Sequence, residues 1–336
     1  MDDHPSRPAE RLSEAVAERF AAKVSELRAN VGTVIKGKPE VVELAVICFL
    51  AEGHLLVEDV PGVGKTQLAR TLAASVDASW HRIQFTPDLL PSDVTGVTIY
   101  HQATTEFVFH PGPVFANIVL ADEINRASPR TQSALLEVME ERQVTIDGVG
   151  RAVPRPFMVV ATQNPIDMDG TYPLPEAQLD RFLIRTSVGY PDLSAELEII
   201  GHQNGTSPSS RVQPVLTSDE AEAMTSLVHR VHAAPEVCEY LVRVVAATRH
   251  LPEVRLPVSP RGSVGLLRAA RARALTMGRP FVTPDDVKVL AAPVLVHRLV
   301  LTPDALLAGA TVASVLERAL TSVPVPHQRA SAVRSG

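Results

Sequence analysis

Asp59-Val60-Pro61-Gly62-Val63-Gly64-Lys65-Thr66 follows the apolar run His54-Leu55-Leu56-Val57 and precedes Gln67-Leu68-Ala69-Arg70-Thr71-Leu72-Ala73, which has helical spacing. A strand, a glycine-containing turn ending in Gly-Lys-Thr and a helix are the layout of a phosphate-binding loop. Such a turn aims backbone N–H groups at a phosphate, and the helix behind it adds the positive end of its dipole. Pro61, Gly62, Val63, Gly64, Lys65, Thr66 and Gln67 then form the nucleotide cradle. Lys65 would reach the β- and γ-phosphates, and the Thr66 hydroxyl would ligate Mg²⁺. Asp59 stands where the G-x-x-x-x-G-K-T pattern has its first glycine. A Gly-Lys-Thr in an ordinary surface loop is the competing reading, and the rest of the chain has to supply the partners.

The nearest partner is the run Ile118-Val119-Leu120-Ala121, of the kind buried on both faces of a parallel sheet, which ends in Asp122-Glu123. Opposite a phosphate loop, Asp122 would hold Mg²⁺ through its water shell, and Glu123 would orient and polarise the attacking water. A further strand, Phe157-Met158-Val159-Val160-Ala161-Thr162, ends in Gln163-Asn164-Pro165. Asn164 at that height either hydrogen-bonds the γ-phosphate or the attacking water, or makes an Asn-Pro turn. Spacing does not choose between the two. Arg181 lies just before a fifth strand near 182–188. It reads as a solvated edge residue or as an arginine finger that completes a neighbouring subunit's site. Arg261, in Ser259-Pro260-Arg261, starts a helix. It reads as a surface residue or as one reaching across an interdomain cleft to the γ-phosphate.

The chain divides around this core. Leu12, Val16, Phe20, Val24 and Leu27 mark an amphipathic helix within residues 1–30. Val34-Ile35-Lys36-Gly37-Lys38 is a turn, in which Ile35 and Gly37 are candidates for nucleotide contact, and Pro39 opens a second helix. Residues 31–195 alternate strands with helices, which implies a three-layer α/β domain. Two hairpins interrupt it. One pairs Val97-Thr98-Ile99-Tyr100 with Glu106-Phe107-Val108-Phe109, and the other turns at Asp147-Gly148. The stretch 86–96 between strand two and the first hairpin reads as irregular. After a Gly-, Ser- and Pro-rich linker, residues 213–322 show only helical periodicity, with helices near 218–232, 235–250, 260–277, 283–297 and 311–321. Thr283 is the expected N-cap of the fourth, with Pro284 at its first position. Residues 323–336 read as a disordered tail.

Bulk properties narrow the function classes. The length of 336 residues suits about two domains. An apolar fraction of 45% supplies real cores, and 21% charged residues are ordinary for a soluble chain. A net charge of −6 and a pI near 6.0 argue against non-specific nucleic-acid binding as the main task. Cys48 and Cys238 stand far apart in apolar contexts and read as small core residues of a reduced, cytoplasmic protein. The first eleven residues lack the apolar segment of a signal peptide. The longest apolar run, near 41–51, contains Glu43 and is too short to span a bilayer, so no direct membrane insertion is expected. His229 and His232 share a helix but have no third metal ligand at suitable spacing.

The order of phosphate loop, Asp-Glu, Asn, pre-strand Arg and Pro-Arg resembles an AAA+ ATPase. The finer text resembles the MoxR family across residues 31–326. It includes Gln84-Phe85-Thr86-Pro87-Asp88-Leu89-Leu90-Pro91-Ser92-Asp93, Asp122-Glu123-Ile124-Asn125-Arg126-Ala127, Glu140-Glu141-Arg142-Gln143-Val144-Thr145 and Leu174-Pro175-Glu176-Ala177-Gln178-Leu179-Asp180-Arg181-Phe182. The resemblance implies an α/β fold: an AAA+ three-layer αβα core with a parallel five-stranded sheet in order 5-1-4-3-2, plus a C-terminal all-helical lid. It implies Lys65 and Thr66 in Walker A, Asp122 and Glu123 in Walker B, Asn164 as sensor 1, Arg181 as the arginine finger and Arg261 as sensor 2. ATP and Mg²⁺ are the implied cofactors. A ring, often a hexamer, is the implied assembly, and ATP-driven motion between core and lid the implied work. The implied partners are protein clients, with a von Willebrand factor A domain protein among them. The hairpins would face a pore or a partner.

Two other classes compete. A nucleic-acid motor of helicase or branch-migration type keeps the fold, but the acidic balance and the lack of an appended DNA-binding domain stand against it. The cluster Arg268, Arg271 and Arg273 on one lid helix reads instead as a solvated or subunit-contact face. A non-hydrolysing, nucleotide-gated scaffold is opposed by intact Asp122 and Glu123.

Overall fold

The computed structural model describes residues 12–60, 62–164, 170–201 and 212–326. Expectations for residues 1–11, Pro61, Pro165, most of the linker and the end of the tail lie outside the described residues.

Ser13 caps α1 (Glu14–Gly32), whose Ala17, Phe20, Val24, Leu27 and Val31 form one buried stripe. Pro39 opens α2 (Pro39–Leu50), an apolar helix buried on most sides. β1 (Leu55–Glu58) feeds the phosphate loop and α3 (Lys65–Ser75). β2 (Trp80–Gln84) comes next. The stretch after it, expected to be irregular, contains a short helix, α4 (Pro91–Thr95). β3 (Gly96–His101) and β4 (Glu106–Pro111) form the first hairpin. Beyond it run β5 (Ile118–Asp122) and α5 (Pro129–Glu141), the latter capped by Ser128. β6 (Gln143–Ile146) and β7 (Val149–Ala152) form the second hairpin. β8 (Met158–Gln163), α6 (Glu176–Leu179), β9 (Ile184–Thr186) and α7 (Leu193–Gly201) complete the first unit.

The sheet order is β2-β5-β8-β1-β9, with every neighbouring pair parallel. Numbered along the core, that is the expected 5-1-4-3-2. Strand periodicity splits its side chains cleanly. Leu55, Val57, Ile118, Leu120, Met158 and Val160 face the core formed with α1, α2 and α3. Leu56, Val119, Ala121, Val159 and Ala161 face the opposite core with Leu135, Leu136 and Met139 of α5. This is the three-layer αβα arrangement.

The second unit holds α8 (Ser218–Val228), α9 (Pro235–Ala247), β10 (Val254–Leu256), α10 (Pro260–Thr276), α11 (Pro284–Leu295), β11 (Val300–Leu301), α12 (Pro303–Leu307) and α13 (Val312–Ser322). It is helical as expected, with Thr283 capping α11. One departure from all-helical periodicity is the short antiparallel pair of β10 and β11, too brief to leave an alternating signal. The arginine cluster on α10 is also corrected. Arg268 donates to the carbonyls of Ala51 and Glu52, and Arg273 pairs with buried Asp286. Arg268 and Arg273 therefore bind inward, where a solvated face was expected.

That docking sets where the lid stands. Leu266, Ala269, Ala270, Leu290 and Val294 share one continuous core with α1, α2 and the sheet. Gly265 of α10 packs so closely on the Leu183 side chain, just before β9, that a Cβ there would stand 3.1 Å from it. Arg298 donates to Asp180 at 2.7 Å and to the carbonyl of Phe182 at 2.7 Å, while His297 bonds the same carbonyl at 3.0 Å. All these partners precede strands, so α10 and the turn that follows α11 meet the N-terminal edge of the sheet.

Candidate functional site

The opposite, C-terminal edge carries the phosphate loop. Gly62 and Gly64 have φ of 86° and 93°, a left-handed conformation that other residues adopt at a cost. Gly64 is also the N-cap of α3, so the first amides of that helix are left for an anion. The Lys65 ammonium donates to the carbonyls of Asp59 at 2.7 Å and Val60 at 3.0 Å. Burial lowers its pKa, and Asp59, Asp122 and Glu123 oppose that shift.

Asp59 has a defined task in place of the missing glycine. Its Oδ2 accepts the amides of Val188 at 2.7 Å and Gly189 at 2.5 Å, and its Oδ1 accepts that of Val60 at 2.8 Å. The carboxylate therefore ties the phosphate loop to the segment that leaves β9.

A cavity of about 250 Å³ brings together Gly62, Gly64, Lys65, Thr66, Gln67, Asp122, Glu123 and Asn164, as the sequence predicts. Asp122 is 8% exposed. Its Oδ1 accepts the Thr162 hydroxyl at 2.6 Å, and the same hydroxyl accepts the Glu123 amide at 2.9 Å. One threonine thus fixes both acidic residues. Glu123 sits in a left-handed backbone conformation, φ 56°, directly after β5. Its Oε2 accepts from Gln84 at 2.9 Å and Arg126 at 3.0 Å. Arg82 donates twice to Asp122 Oδ2, from Nη2 at 2.7 Å and Nε at 3.1 Å.

Sequence reasoning missed Arg82, Gln84, Arg126 and Thr162. The available signal was period two. Arg82 and Gln84 share one face of β2, and the β2–β5 register sets Gln84 beside Asp122.

The donor set suits Mg²⁺ carried by phosphates: hard oxygens from Thr66 and Asp122 in one cavity, with the remaining ligands left to phosphate and water. Bound there, the cation would supply positive charge against the charge that develops on the phosphates.

The other expected residues lie elsewhere. Ile35 is buried in the hydrophobic core, and Gly37 abuts Ala195 of α7; neither lines the phosphate cavity. Arg181 and Arg261 come together, but not at the phosphate loop. Both pair with Glu140 at the end of α5, Arg181 at 3.0 Å to Oε2 and Arg261 to Oε1. They line a separate cleft of about 460 Å³ with Gly53, His54 and Leu183 on the N-terminal edge. The four residues of β1, at about 3.3 Å each, set the two edges roughly 13 Å apart. The expectation that Arg261 reaches its own chain's γ-phosphate is therefore not what this lid position presents.

Comparison with known proteins agrees with this architecture. The profile of the ATPase family associated with various cellular activities matches residues 54–184, and that of the AAA lid domain matches 246–319. The chain is 50% identical to protein YeaC of Bacillus subtilis, over 91% of this chain and 95% of that one. It is 45% identical to Chaperone MoxR1 of Mycobacterium tuberculosis, over 97% of this chain and 89% of that one. A crystal structure from Cytophaga hutchinsonii superposes with a TM-score of 0.86 at 36% identity, covering 94% of this chain and 98% of the other.

Proposed function

The chain belongs to the MoxR family of AAA+ ATPases, and from that premise we propose a Mg²⁺-dependent ATPase that works as a ring and remodels protein clients. The observation that carries this reading is the split of the catalytic groups between two sheet edges. Lys65, Thr66, Asp122, Glu123 and Asn164 share the C-terminal edge, whereas Arg181 and Arg261 share the N-terminal edge. A second copy, placing its N-terminal edge against the first copy's phosphate loop, would complete each site.

In this reading Lys65 and the amides of the loop bind the phosphates, and Thr66 and Asp122 hold Mg²⁺. Glu123 accepts a proton from the attacking water, and Asn164 orients that water. Arg181 and Arg261 of a neighbour would stabilise charge on the transferred phosphoryl group. Hydrolysis would then alter the contact between one chain's core and the next chain's lid.

The first hairpin is the surface best suited to a client. Phe107 is 75% exposed and packs on Tyr100, with Val97 and Ile99 also exposed on the same ribbon. Apolar exposure of this kind fits a protein partner better than a phosphate backbone. The name of the Mycobacterium relative, a chaperone, supports the same direction. The von Willebrand factor A domain partner stays a proposal of the resemblance. The free thiols Cys48 and Cys238 and the need for ATP suit the cytoplasm. Among the described residues no helix is long and apolar enough to cross a membrane.

Phosphate release with Mg-ATP, compared between the parent chain and Lys65→Ala, tests the reading. Turnover that survives Lys65→Ala would place hydrolysis elsewhere.

A further inference from the structure

Asp122 already has a cation. Arg82 reaches across from β2 and places two nitrogens on Oδ2, while Oδ1 is committed to the Thr162 hydroxyl inside the fold. Oδ2 is therefore the oxygen that faces the cavity, and it is the one available to the water shell of a nucleotide's metal. Arg82 is not clamped in this pose. Its side chain is 48% exposed, and its other hydrogen bond goes to Gln84 Oε1 at 2.8 Å, a surface partner. A guanidinium this close to Oδ2 lowers the negative potential that attracts a dication.

We propose that Arg82 is the resident counter-ion of Asp122 and competes with the nucleotide-borne divalent cation for the cavity-facing carboxylate oxygen. The inference rests on the proposed nucleotide site. Without nucleotide, Arg82 neutralises Asp122, as Arg126 does Glu123, so two neighbouring acidic groups are held without metal. With nucleotide, Arg82 has to give up Oδ2 before metal-bound water is held there. Its guanidinium then remains in the same cavity as Lys65, a second cation for phosphate oxygens. An arginine that merely oriented Asp122 would do the opposite: it would support metal binding, as partners behind metal ligands do.

The test is a Mn²⁺ titration of the full chain saturated with ADP, with free Mn²⁺ read by electron paramagnetic resonance. ADP has no γ-phosphate, so the curve isolates Asp122 from any contact of Arg82 with that group. Arg82→Gln should tighten Mn²⁺ by about fivefold, the scale of a half-exposed ion pair removed as competitor. Arg82→Lys keeps the charge but loses the two-nitrogen fork, and should fall between Arg82→Gln and the parent. Unchanged or weaker Mn²⁺ binding in Arg82→Gln overturns the inference, as does an Arg82→Lys curve identical to the parent. If the parent binds no ADP at all, the nucleotide reading falls and this inference with it. ADP binding with an unaltered metal curve overturns the inference alone.

Discussion

The Asp59 carboxylate accepts the amide of Val188 at 2.7 Å, so the residue that breaks the glycine pattern is also a brace for the phosphate loop. Replacing it with the glycine of the usual pattern removes the acceptor for the amides of Val60, Val188 and Gly189. Asp59→Gly should cost about 1–3 kcal/mol of stability, because one buried and two half-buried amides are left unpaired. Asp59→Asn keeps one accepting oxygen and should lose less. Thermal unfolding with and without Mg-ATP measures both. A glycine variant as stable as the parent would show the brace to be dispensable.

Glu123 is separated from Asp122 by role as well as position. Asp122 is buried and fixed by Thr162, whereas Glu123 faces the cavity and is held by two half-exposed side chains. Glu123→Gln can still accept from Gln84 and Arg126 through its amide oxygen, so the local structure should persist. It cannot take a proton from water. Phosphate release should fall by roughly 10²–10⁴-fold with nucleotide affinity little changed. Parallel measurement of turnover and of fluorescent-nucleotide binding separates the two, and unimpaired turnover removes Glu123 from the chemistry.

Asp286 anchors the lid. It is fully buried, and Arg273, Arg279 and Thr283 all donate to it. Burial alone would raise its pKa, but the hydrogen bonds from Arg279 and Thr283 hold it below the ordinary aspartate value. A carboxyl depressed in the folded state stabilises fully above its unfolded pKa, about 3.9, and loses that contribution as pH falls through the folded value. Asp286→Asn should therefore cost about 3 kcal/mol at pH 7, the low end for a broken buried pair, since both arginines keep some access to water. It should also flatten the loss of stability below about pH 4. Thermal midpoints from about pH 2 to about pH 7 check both statements, because the contribution is lost below the unfolded pKa.

What was legible in the sequence was local. Gly62, Gly64, Lys65 and Thr66 announce their loop because chain neighbours create it, and Ile118 to Asp122 announce a buried strand because four apolar residues run without interruption. Arg82 and Gln84 matter through the register of β2 on β5, a pairing between segments that no local spacing encodes. The position of Arg261 depends on even more distant contacts. Gly265 against Leu183, Arg268 on the carbonyl of Ala51 and Arg298 on Asp180 together decide which sheet edge the lid meets.

That edge yields the sharpest test of the assembly. Arg181 and Arg261 share Glu140, so one chain offers both arginines from a single face. Arg181→Ala and Arg261→Ala should each be inactive alone. Each should recover some phosphate release when mixed with Glu123→Gln, because an arginine-variant loop then meets an intact neighbouring face. Mixing Arg181→Ala with Arg261→Ala should recover nothing, since every face in the mixed ring lacks one arginine. If Arg261 instead served its own chain's nucleotide, that mixture would regain activity. An Arg261→Ala loop-holder would still fail, but an Arg181→Ala loop-holder beside an Arg261→Ala neighbour would have both groups. Steady-state turnover across mixing ratios distinguishes the two arrangements, and recovery in the double-arginine mixture would return Arg261 to its own chain's site.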